Sequence, residues 1–474
     1  MNQKLINEED LQNAKTYSEY LEIATELDKK DGKWEFRENP ESDLFDSKLL
    51  IEDTEKLKNF RETNQTKKLL DKILETLPTH SWELNNSDLY TSARSGTKFI
   101  IDEYYLEIEK AIRFVAKSEI PELSLEKKIN LLNEGNRIHG ETALILSGGA
   151  SFGIYHLGVV KALFENSELP KIISGSSMGA IVAAAVCTRN DKDLKKYFDE
   201  LLNTHKVALK FSSIQKFLES KSIMDEEQLL EHIQGNMPNL SFLEAYKISG
   251  RVLNISVSAT RKRQKPKVLN YLSSPSVLIQ NSALASCAIP GLFQAVGLKQ
   301  KNEDGEIFPY MEKETWIDGS IHLDVPMQRI MRLHNVSRSI VSQANPHVLP
   351  FVPEKKEFNP ISFTWNYFLN GIQFQTNKFL EAGISLSDQM PWLFALDKIK
   401  SMMAQEYRGD INISYPMSFK SISHIAANPD DQLFKDYIEK GEKATWEKLK
   451  FISHQSLLNK VLNESIQSLK FDKK

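Results

Sequence analysis

Ser177 lies at the centre of the sequence Gly-Ser-Ser-Met-Gly at residues 175–179. A Gly-x-Ser-x-Gly sequence between a strand and a helix is typical of a nucleophile elbow, a sharp turn that holds a serine hydroxyl clear of the sheet. The flanking Gly175 and Gly179 have no Cβ, which allows the strand and the helix to approach each other closely. The pattern predicts a serine that forms a covalent intermediate, and the alternative is a glycine-rich turn without chemistry.

A glycine-rich loop precedes this serine by one strand–helix unit. Residues 142–146, Thr-Ala-Leu-Ile-Leu, form a continuous apolar run that predicts a strand covered on both faces. The run leads into Ser-Gly-Gly-Ala-Ser-Phe-Gly at 147–153, and a helix is predicted next. Such a loop offers backbone N–H groups and a helix N-terminus to an anion, either a phosphate or a transient oxyanion. The predicted oxyanion donors are the amides of Gly148, Gly149 and Ala150.

Two nucleotide-binding interpretations of this loop are disfavoured. The loop lacks the Gly-Lys-Ser/Thr ending of a Walker P-loop. A dinucleotide site requires Gly-x-Gly-x-x-Gly and an acidic residue after the next strand, whereas that strand ends in Ser174 and Gly175. Since the carboxyl ends of parallel strands meet at one edge of a sheet, we expect the loop beside Ser177, which favours an oxyanion hole.

Asp318 is the candidate partner of Ser177. Trp316 and Ile317 predict a short strand that delivers Asp318 to a turn at Gly319. An aspartate in such a place often only forms the turn, with its carboxylate on local N–H groups. The functional alternative is a carboxylate placed beside Ser177.

The composition is that of an ordinary globular protein. The 474 residues are 41% hydrophobic and 26% charged with a net charge of −4, which gives no support to nucleic-acid binding. Cys187 and Cys287 are far apart among small apolar residues, so we expect buried free thiols, and no sequence cluster suggests a metal. Neither a signal peptide nor an apolar run of ~18 residues is found, so we expect a cytoplasmic protein with peripheral membrane contact.

Three regions are predicted from the change in pattern along the chain. They are a helical N-terminal domain at 1–135, a catalytic domain at 136–345 and a mostly helical C-terminal region at 346–474. Within the middle region, further strands are predicted at 251–259, 267–271 and, as the last of the sheet, 337–343.

Two segments are candidates for lipid contact. The basic sequence Arg-Lys-Arg-Gln-Lys at 261–265 is either a solvated turn or a contact for phospholipid headgroups. Aromatic residues recur at 363–379, and apolar residues at helical spacing follow at 392–403. This part is either a helical core that covers the sheet or an interfacial surface that docks on lipid.

Three elements in a fixed order resemble the motifs of the patatin-like phospholipases. They are residues 148–153, residues 175–179 and Asp-Gly-Ser at 318–320. The segments 17–117 and 405–412 resemble the corresponding parts of fungal triacylglycerol lipases, so the resemblance spans most of the chain.

The resemblance implies a three-layer α/β/α sandwich with a mostly parallel central sheet, flanked by N-terminal and C-terminal helical regions. It implies a Ser177–Asp318 dyad without a catalytic histidine, no cofactor, and a glycerolipid substrate at a membrane or lipid-droplet surface. The motif glycines that support these groups are Gly153, Gly175, Gly179 and Gly319. The sequence specifies no oligomeric state.

The expected function is that of a serine esterase of the triacylglycerol lipase or phospholipase A type. Two departures from the family motifs, Ala150 for the third glycine of the loop and Ser320 for a glycine, remove no catalytic group. One alternative is an α/β-hydrolase with a Ser-His-Asp triad that uses His424 or His454. The other is a non-catalytic lipid-docking protein. We expect His156, on the helix after the loop, to pack against the loop or orient it.

Overall fold

The computed structural model describes residues 6–121, 123–203, 230, 233–261, 264–289, 294–319, 325–345, 409–416 and 429–471. The predicted helical character of the N-terminal region is confirmed. Its helices are α1 (Glu8–Asn13), α2 (Tyr17–Lys30), α3 (Trp34–Glu38), α4 (Ser47–Glu62), α5 (Thr66–Glu83), α6 (Asp88–Thr91), α7 (Phe99–Lys117) and α8 (Leu125–His139). The side chains of Thr16, Asp46 and Ser124 cap α2, α4 and α8, because each accepts a backbone N–H that the first helical turn leaves unpaired.

Strands and helices alternate in the next part of the chain. The first elements are β1 (Glu141–Leu146), a short 3₁₀ helix (Ala150–Ile154), α9 (Tyr155–Glu165), β2 (Ile172–Gly175), α10 (Met178–Cys187) and α11 (Asp191–Asn203). They are followed by α12 (Phe242–Ser249), β3 (Val252–Ala259), β4 (Lys267–Leu269), α13 (Ile279–Cys287), β5 (Lys299–Lys301), β6 (Ile307–Pro309) and β7 (Trp316–Asp318). The last elements are α14 (Met327–His334), β8 (Val336–Gln343), β9 (Ile411–Ser414) and α15 (Asp431–Phe471).

The central sheet has the strand order β4-β3-β2-β1-β8-β9, and β7 also pairs with β3. The pairs β3–β2, β2–β1, β1–β8 and β8–β9 are parallel, while β4 and β7 run antiparallel to β3. The predicted mostly parallel sheet is therefore confirmed. The prediction that residues 337–343 form the last strand is wrong, since β9 follows β8 in the chain and pairs beside it. β9 has only four residues, too few for a periodic pattern to show.

Both faces of the sheet are covered by helices, which confirms the predicted three-layer arrangement. Alternate residues of β1 point to opposite faces. Leu144 and Leu146 belong to the larger apolar core, which includes all but one of the ten residues of the buried helix α10. Ala143 and Ile145 face a smaller core with Ile330 of α14.

Helix α15 lies against both the N-terminal helices and the sheet layer. Its closest approach is to α9, where two glycines allow backbone contact. A Cβ on Gly158 would collide with the carbonyl oxygen of Ile438, and a Cβ on Gly441 with that of Tyr155. The larger apolar core includes residues from all three predicted regions. The boundaries near 135 and 345 stay predictions.

Candidate active site

The turn between β2 and α10 has the geometry of a nucleophile elbow. Ser177 has a φ of 52° and a ψ of −125°, a conformation that side chains rarely adopt and that is typical of strained functional turns. The Ser176 N–H donates to the carbonyl oxygen of Leu146 at 3.1 Å, which ties the elbow to the end of β1. A Cβ on Gly175 would collide with the Gly179 carbonyl oxygen, so close packing of the backbone requires glycine there.

The glycine-rich loop packs directly against the elbow. A Cβ on Gly153 would overlap the side chain of Met178, which is the residue after Ser177. Ala150 has a φ of 47°, in the left-handed region. The amides of Gly149 and Ala150 donate to no group in the described part of the chain. The glycine-rich loop therefore lies next to the serine turn, and two of its N–H groups are open to a ligand.

The direction of the loop amides follows from hydrogen bonds at its first residues. The Ser147 hydroxyl donates to the Gly148 carbonyl oxygen at 2.7 Å and accepts the Ala344 N–H at 3.0 Å. Because the C=O and N–H of a trans peptide point in opposite directions, the Gly149 N–H points away from the Ser147 hydroxyl. A Cβ on Gly149 would lie 2.9 Å from the Ala344 Cβ, so this position has no room for a side chain.

His156 orients the loop rather than facing a substrate. Its Nε2 lies 3.0 Å from the Ser147 carbonyl oxygen and its Nδ1 lies 2.7 Å from the Ser342 hydroxyl. Since a carbonyl oxygen only accepts, Nε2 carries the proton and Nδ1 accepts from Ser342. Complete burial lowers the pKa of His156 to about 4, so the ring is neutral at pH 7. This agrees with the expectation that it orients the loop.

The pairing of β3 sets the position of Asp318. Val257 pairs with Lys267 of β4 and with Asp318 of β7, so these two strands lie on opposite edges of β3. Strand β7 therefore pairs with the same edge of β3 as β2 does. The last pair of β2 joins Gly175 to Ile255, two residues before Val257. Ile255 and Val257 are about 7 Å apart along the strand. Asp318 thus sits at the level where the chain leaves the sheet to form the elbow.

The side chains of Ser177 and Asp318 share Cys287 as a neighbour. Burial raises the pKa of the Cys287 thiol, the Asp318 carboxylate raises it further, and a hydrogen bond with the Ser177 side chain opposes them. Ser177 is 9% exposed and Asp318 is 1% exposed, so the carboxylate is desolvated. The Asp318 N–H donates to the Ala288 carbonyl oxygen at 3.0 Å. A Cβ on Gly319 would collide with the Ser256 carbonyl oxygen.

Sequence reasoning did not identify Cys287 or its neighbour Ser286 as parts of the site. Ser286 accepts the backbone N–H of Ser177 at 3.0 Å. Both lie at the end of the small-residue helix α13, and the only signal was that hydroxyl and thiol groups stand among alanines there. Both predicted free thiols, Cys187 and Cys287, are buried and form no disulfide.

The structure describes one of the two histidines considered for a triad. The Nε2 of His454 lies 3.2 Å from Asp102, its Nδ1 lies 3.0 Å from the Tyr90 hydroxyl, and its ring stacks on Tyr105. These contacts belong to the N-terminal helices and not to the elbow. His424 lies outside the described residues.

Other predicted features are only partly described. Residues 363–379 and 392–403, and with them the aromatic segment, lie outside the described residues, as do two members of the basic cluster. Arg261 of that cluster forms an ion pair with Glu314 at 2.7 Å. The described residues hold no group of three or more His, Cys, Asp or Glu side chains arranged for a metal. No described helix is both apolar enough and long enough to span a membrane.

Comparison with known proteins places these features in a family. A family model for patatin-like phospholipases matches residues 144–330, and a domain of unknown function, DUF3336, matches residues 2–137. Triacylglycerol lipase SDP1L of Arabidopsis thaliana is 34% identical over 96% of this chain, which spans 58% of that relative. Triacylglycerol lipase ptl3 of Schizosaccharomyces pombe is 31% identical over 92% of each chain.

Among solved structures, VipD from Legionella pneumophila has 16% identity and a TM-score of 0.31, with 65% of this chain and 66% of that one covered. The family model covers the elbow, the glycine loop and Asp318 together, and the relative ptl3 matches almost end to end. The chain belongs to the patatin-like phospholipase family.

Proposed function

We propose that this chain is a lipid acyl hydrolase that cleaves the acyl esters of glycerolipids through a Ser177–Asp318 dyad. The observation that carries the proposal is the pairing of β7 with β3, which brings Asp318 to the level of the elbow. The Cys287 thiol, which neighbours both side chains, supports the same arrangement.

In the proposed mechanism the Ser177 hydroxyl attacks the ester carbonyl carbon and its proton passes to the Asp318 carboxylate. The amides of Gly148, Gly149 and Ala150 hold the negative oxygen of the tetrahedral intermediate, and one such donor is typically worth a factor of 10²–10³ in rate. Collapse of the intermediate breaks the ester bond, and the departing alcohol takes the proton from Asp318.

The second half of the reaction hydrolyses the acyl-enzyme. Asp318 accepts a proton from water, the resulting hydroxide attacks the Ser177 ester, and collapse returns the proton to the serine oxygen. The near-complete burial of Asp318 favours this role, because it keeps bulk water away from the carboxylate that takes the serine proton.

The substrate class is inferred from the relatives. Both relatives described above carry the name triacylglycerol lipase, and the family model is named for phospholipases. We therefore propose triacylglycerol as the first substrate to test and phospholipid as the second. Either substrate forms a surface, so we propose peripheral binding of the protein to a membrane or a lipid droplet.

The test is fatty-acid release by the purified protein and its variants. Triacylglycerol, phosphatidylcholine and lysophosphatidylcholine are supplied as separate emulsions, and products are identified by mass. We expect Ser177→Ala and Asp318→Asn each to lower release at least ~10³-fold, as loss of a nucleophile or its base does in serine hydrolases. Undiminished release by Ser177→Ala would contradict the proposal.

Matched controls separate chemistry from folding. Ser174→Ala removes a buried hydroxyl of β2 that has no hydrogen-bond partner among the described residues, and Asp304→Asn changes a carboxylate in the turn between β5 and β6. Both should retain wild-type release.

The triad alternative is tested in parallel. Complete loss of release in a folded His424→Ala or His454→Ala variant would favour a Ser-His-Asp triad over the dyad. If a fluorophosphonate probe failed to label Ser177, the chain would instead be a lipid-docking protein without catalysis.

A further inference from the structure

Three consecutive residues at the end of α13 contact the two proposed catalytic residues. The Ser286 hydroxyl accepts the N–H of Ser177 at 3.0 Å, the Cys287 thiol lies beside the Ser177 side chain, and the Ala288 carbonyl oxygen accepts the N–H of Asp318 at 3.0 Å. We call residues 286–288 the cradle. Through it, one short segment touches the backbone of both members of the dyad.

Within the cradle, Ser286 also connects the elbow to the sheet. Its hydroxyl donates to the Ser256 carbonyl oxygen at 2.8 Å while it accepts from Ser177. That same carbonyl oxygen is the atom against which Gly319 packs. A second link joins the hydroxyls of Ser176 and Ser256. Ser286 is fully buried, so no water takes its place.

We propose that Ser286 is a positioning residue for catalysis, whose hydroxyl fixes the Ser177 peptide relative to β3 and to the Asp318 turn. The proposal rests on the proposed function of Ser177 and Asp318. Ser286 touches no substrate in this role. It acts through the backbone N–H of the nucleophile.

The physical reason lies in the strain of the elbow. Ser177 is held at a φ of 52°, and such a conformation persists only when its surroundings over-determine it. Without the Ser286 oxygen, the buried Ser177 N–H loses its acceptor. Rotation of the peptide then becomes favourable, because it can bring the N–H to another acceptor. A rotation that moves the Ser177 oxygen by about 1 Å costs on the order of 10²-fold in rate, because the attack requires aligned atoms.

The experiment measures how fast a soluble fluorophosphonate reacts with Ser177 in the full chain. This small probe reports the nucleophile without lipid binding, and its kinetics separate the maximal rate of inactivation from the affinity for the probe. For Ser286→Ala we expect the maximal rate to fall about 10- to 100-fold, with probe affinity changed less than about 3-fold. Ser286→Cys keeps the side-chain size but accepts weakly, so its rate should fall between wild type and Ser286→Ala.

Ser282→Ala is the matched control. Ser282 lies one turn earlier in α13 and is equally buried, and in the part of the chain that the structure describes its hydroxyl only donates to the Leu278 carbonyl oxygen of its own helix. Its loss should cost similar stability in a thermal melt and leave the reaction with the probe unchanged. If Ser286→Ala does not fold, Ser286→Cys decides in its place.

The outcomes separate the two proposals. If Ser286→Ala or Ser286→Cys reacted at the rate of Ser282→Ala, the positioning role would be overturned while the dyad stood. If the probe reacted with wild type and the Ser177→Ala variant alike, the nucleophile itself would be wrong and both proposals would fall.

Discussion

Ala150 has a backbone conformation that favours glycine. Its φ of 47° lies in the left-handed region, where an L-residue with a Cβ is strained by about 1–2 kcal/mol. Family motifs carry glycine at this place, and the expectation that alanine still supplies an N–H agrees with its open amide in the described part of the chain. The loop therefore accepts local strain beside the nucleophile.

We predict that Ala150→Gly raises the free energy of unfolding by about 0.5–1 kcal/mol, because the relief of strain exceeds the extra chain entropy that glycine loses on folding. Urea denaturation monitored by fluorescence measures the change. The control is Ala162→Gly in the middle of α9, where the same substitution should lower stability by about 1 kcal/mol. An equal loss at both positions would contradict the prediction.

Single residues were predictable where the pattern is local. Ser177 and the loop glycines belong to short motifs, and the spacing of the glycines within each motif predicts the shape of the turn. Ser286 was not predictable, since a hydroxyl among alanines in a helix has no distinguishing pattern, and its contact with Ser177 spans 109 positions.

At the scale of elements, α9 is tied to two strands through His156. The ring bridges the end of β1 at Ser147 and the Ser342 hydroxyl of β8, which pairs with β1. The glycine loop starts at this bridge. A change in the charge of His156 would therefore act on the direction of the loop.

His156 should make stability depend on pH. In the unfolded chain its pKa is near 6.5 and in the fold it is about 4, so below pH 6.5 the unfolded chain binds a proton that the folded chain does not. Stability therefore falls as the pH falls from 6.5 towards 4, and at pH 5 this loss is about 2 kcal/mol. His156→Gln, which keeps a donor and an acceptor, should remove this part of the loss.

The measurement is the difference in unfolding free energy between pH 7.5 and pH 5 for wild type and variant. His139, whose pKa burial lowers to about 3, adds a similar loss that His156→Gln leaves in place. A pH dependence identical in the two proteins would show that His156 does not contribute.

The sequence predicted some strands and helices but not how all of the strands pair, and the difference has a physical cause. β1 and α10 are continuous apolar runs next to glycine-rich turns, which identifies them as buried elements. The antiparallel pairing of β7 with β3 joins Asp318 to Val257 across 61 positions, and no local pattern encodes that register. The sequence therefore predicted the residue at the end of β7 but not the route by which it reaches the elbow.

At the scale of the whole molecule, α15 is joined to the N-terminal helices by a charged cluster around Asp102. One carboxylate oxygen lies 2.7 Å from Lys450 and 3.2 Å from His454, and the other lies 3.2 Å from Arg37. Burial acts to raise the pKa of Asp102, but His454 and Lys450 outweigh it and lower the pKa below its usual value. The ionised carboxylate thus stabilises the fold.

We predict that Asp102→Asn lowers the free energy of unfolding by about 2–3 kcal/mol at pH 7, because it leaves the nearly buried Arg37 with an uncompensated charge. A lowered folded pKa means that this contribution is present above pH 3.8 and is lost as the pH falls through the folded value. Glu109→Gln, which breaks a more exposed pair with Arg113 on the same helix, should cost less than about 0.5 kcal/mol. Equal effects of the two substitutions would contradict the prediction.

The strand order of the sheet has a consequence for synthesis of the protein on the ribosome. Strand β1 finds its neighbour β8 only about 190 positions later, and β9 and α15 complete the packing later still. A growing polypeptide that has exposed β1 and the elbow must wait for these last segments to leave the exit tunnel. At typical speeds of 5–20 residues per second, this wait lasts on the order of half a minute. During that time the apolar edge of β1 is open to chaperones and to other unfinished copies.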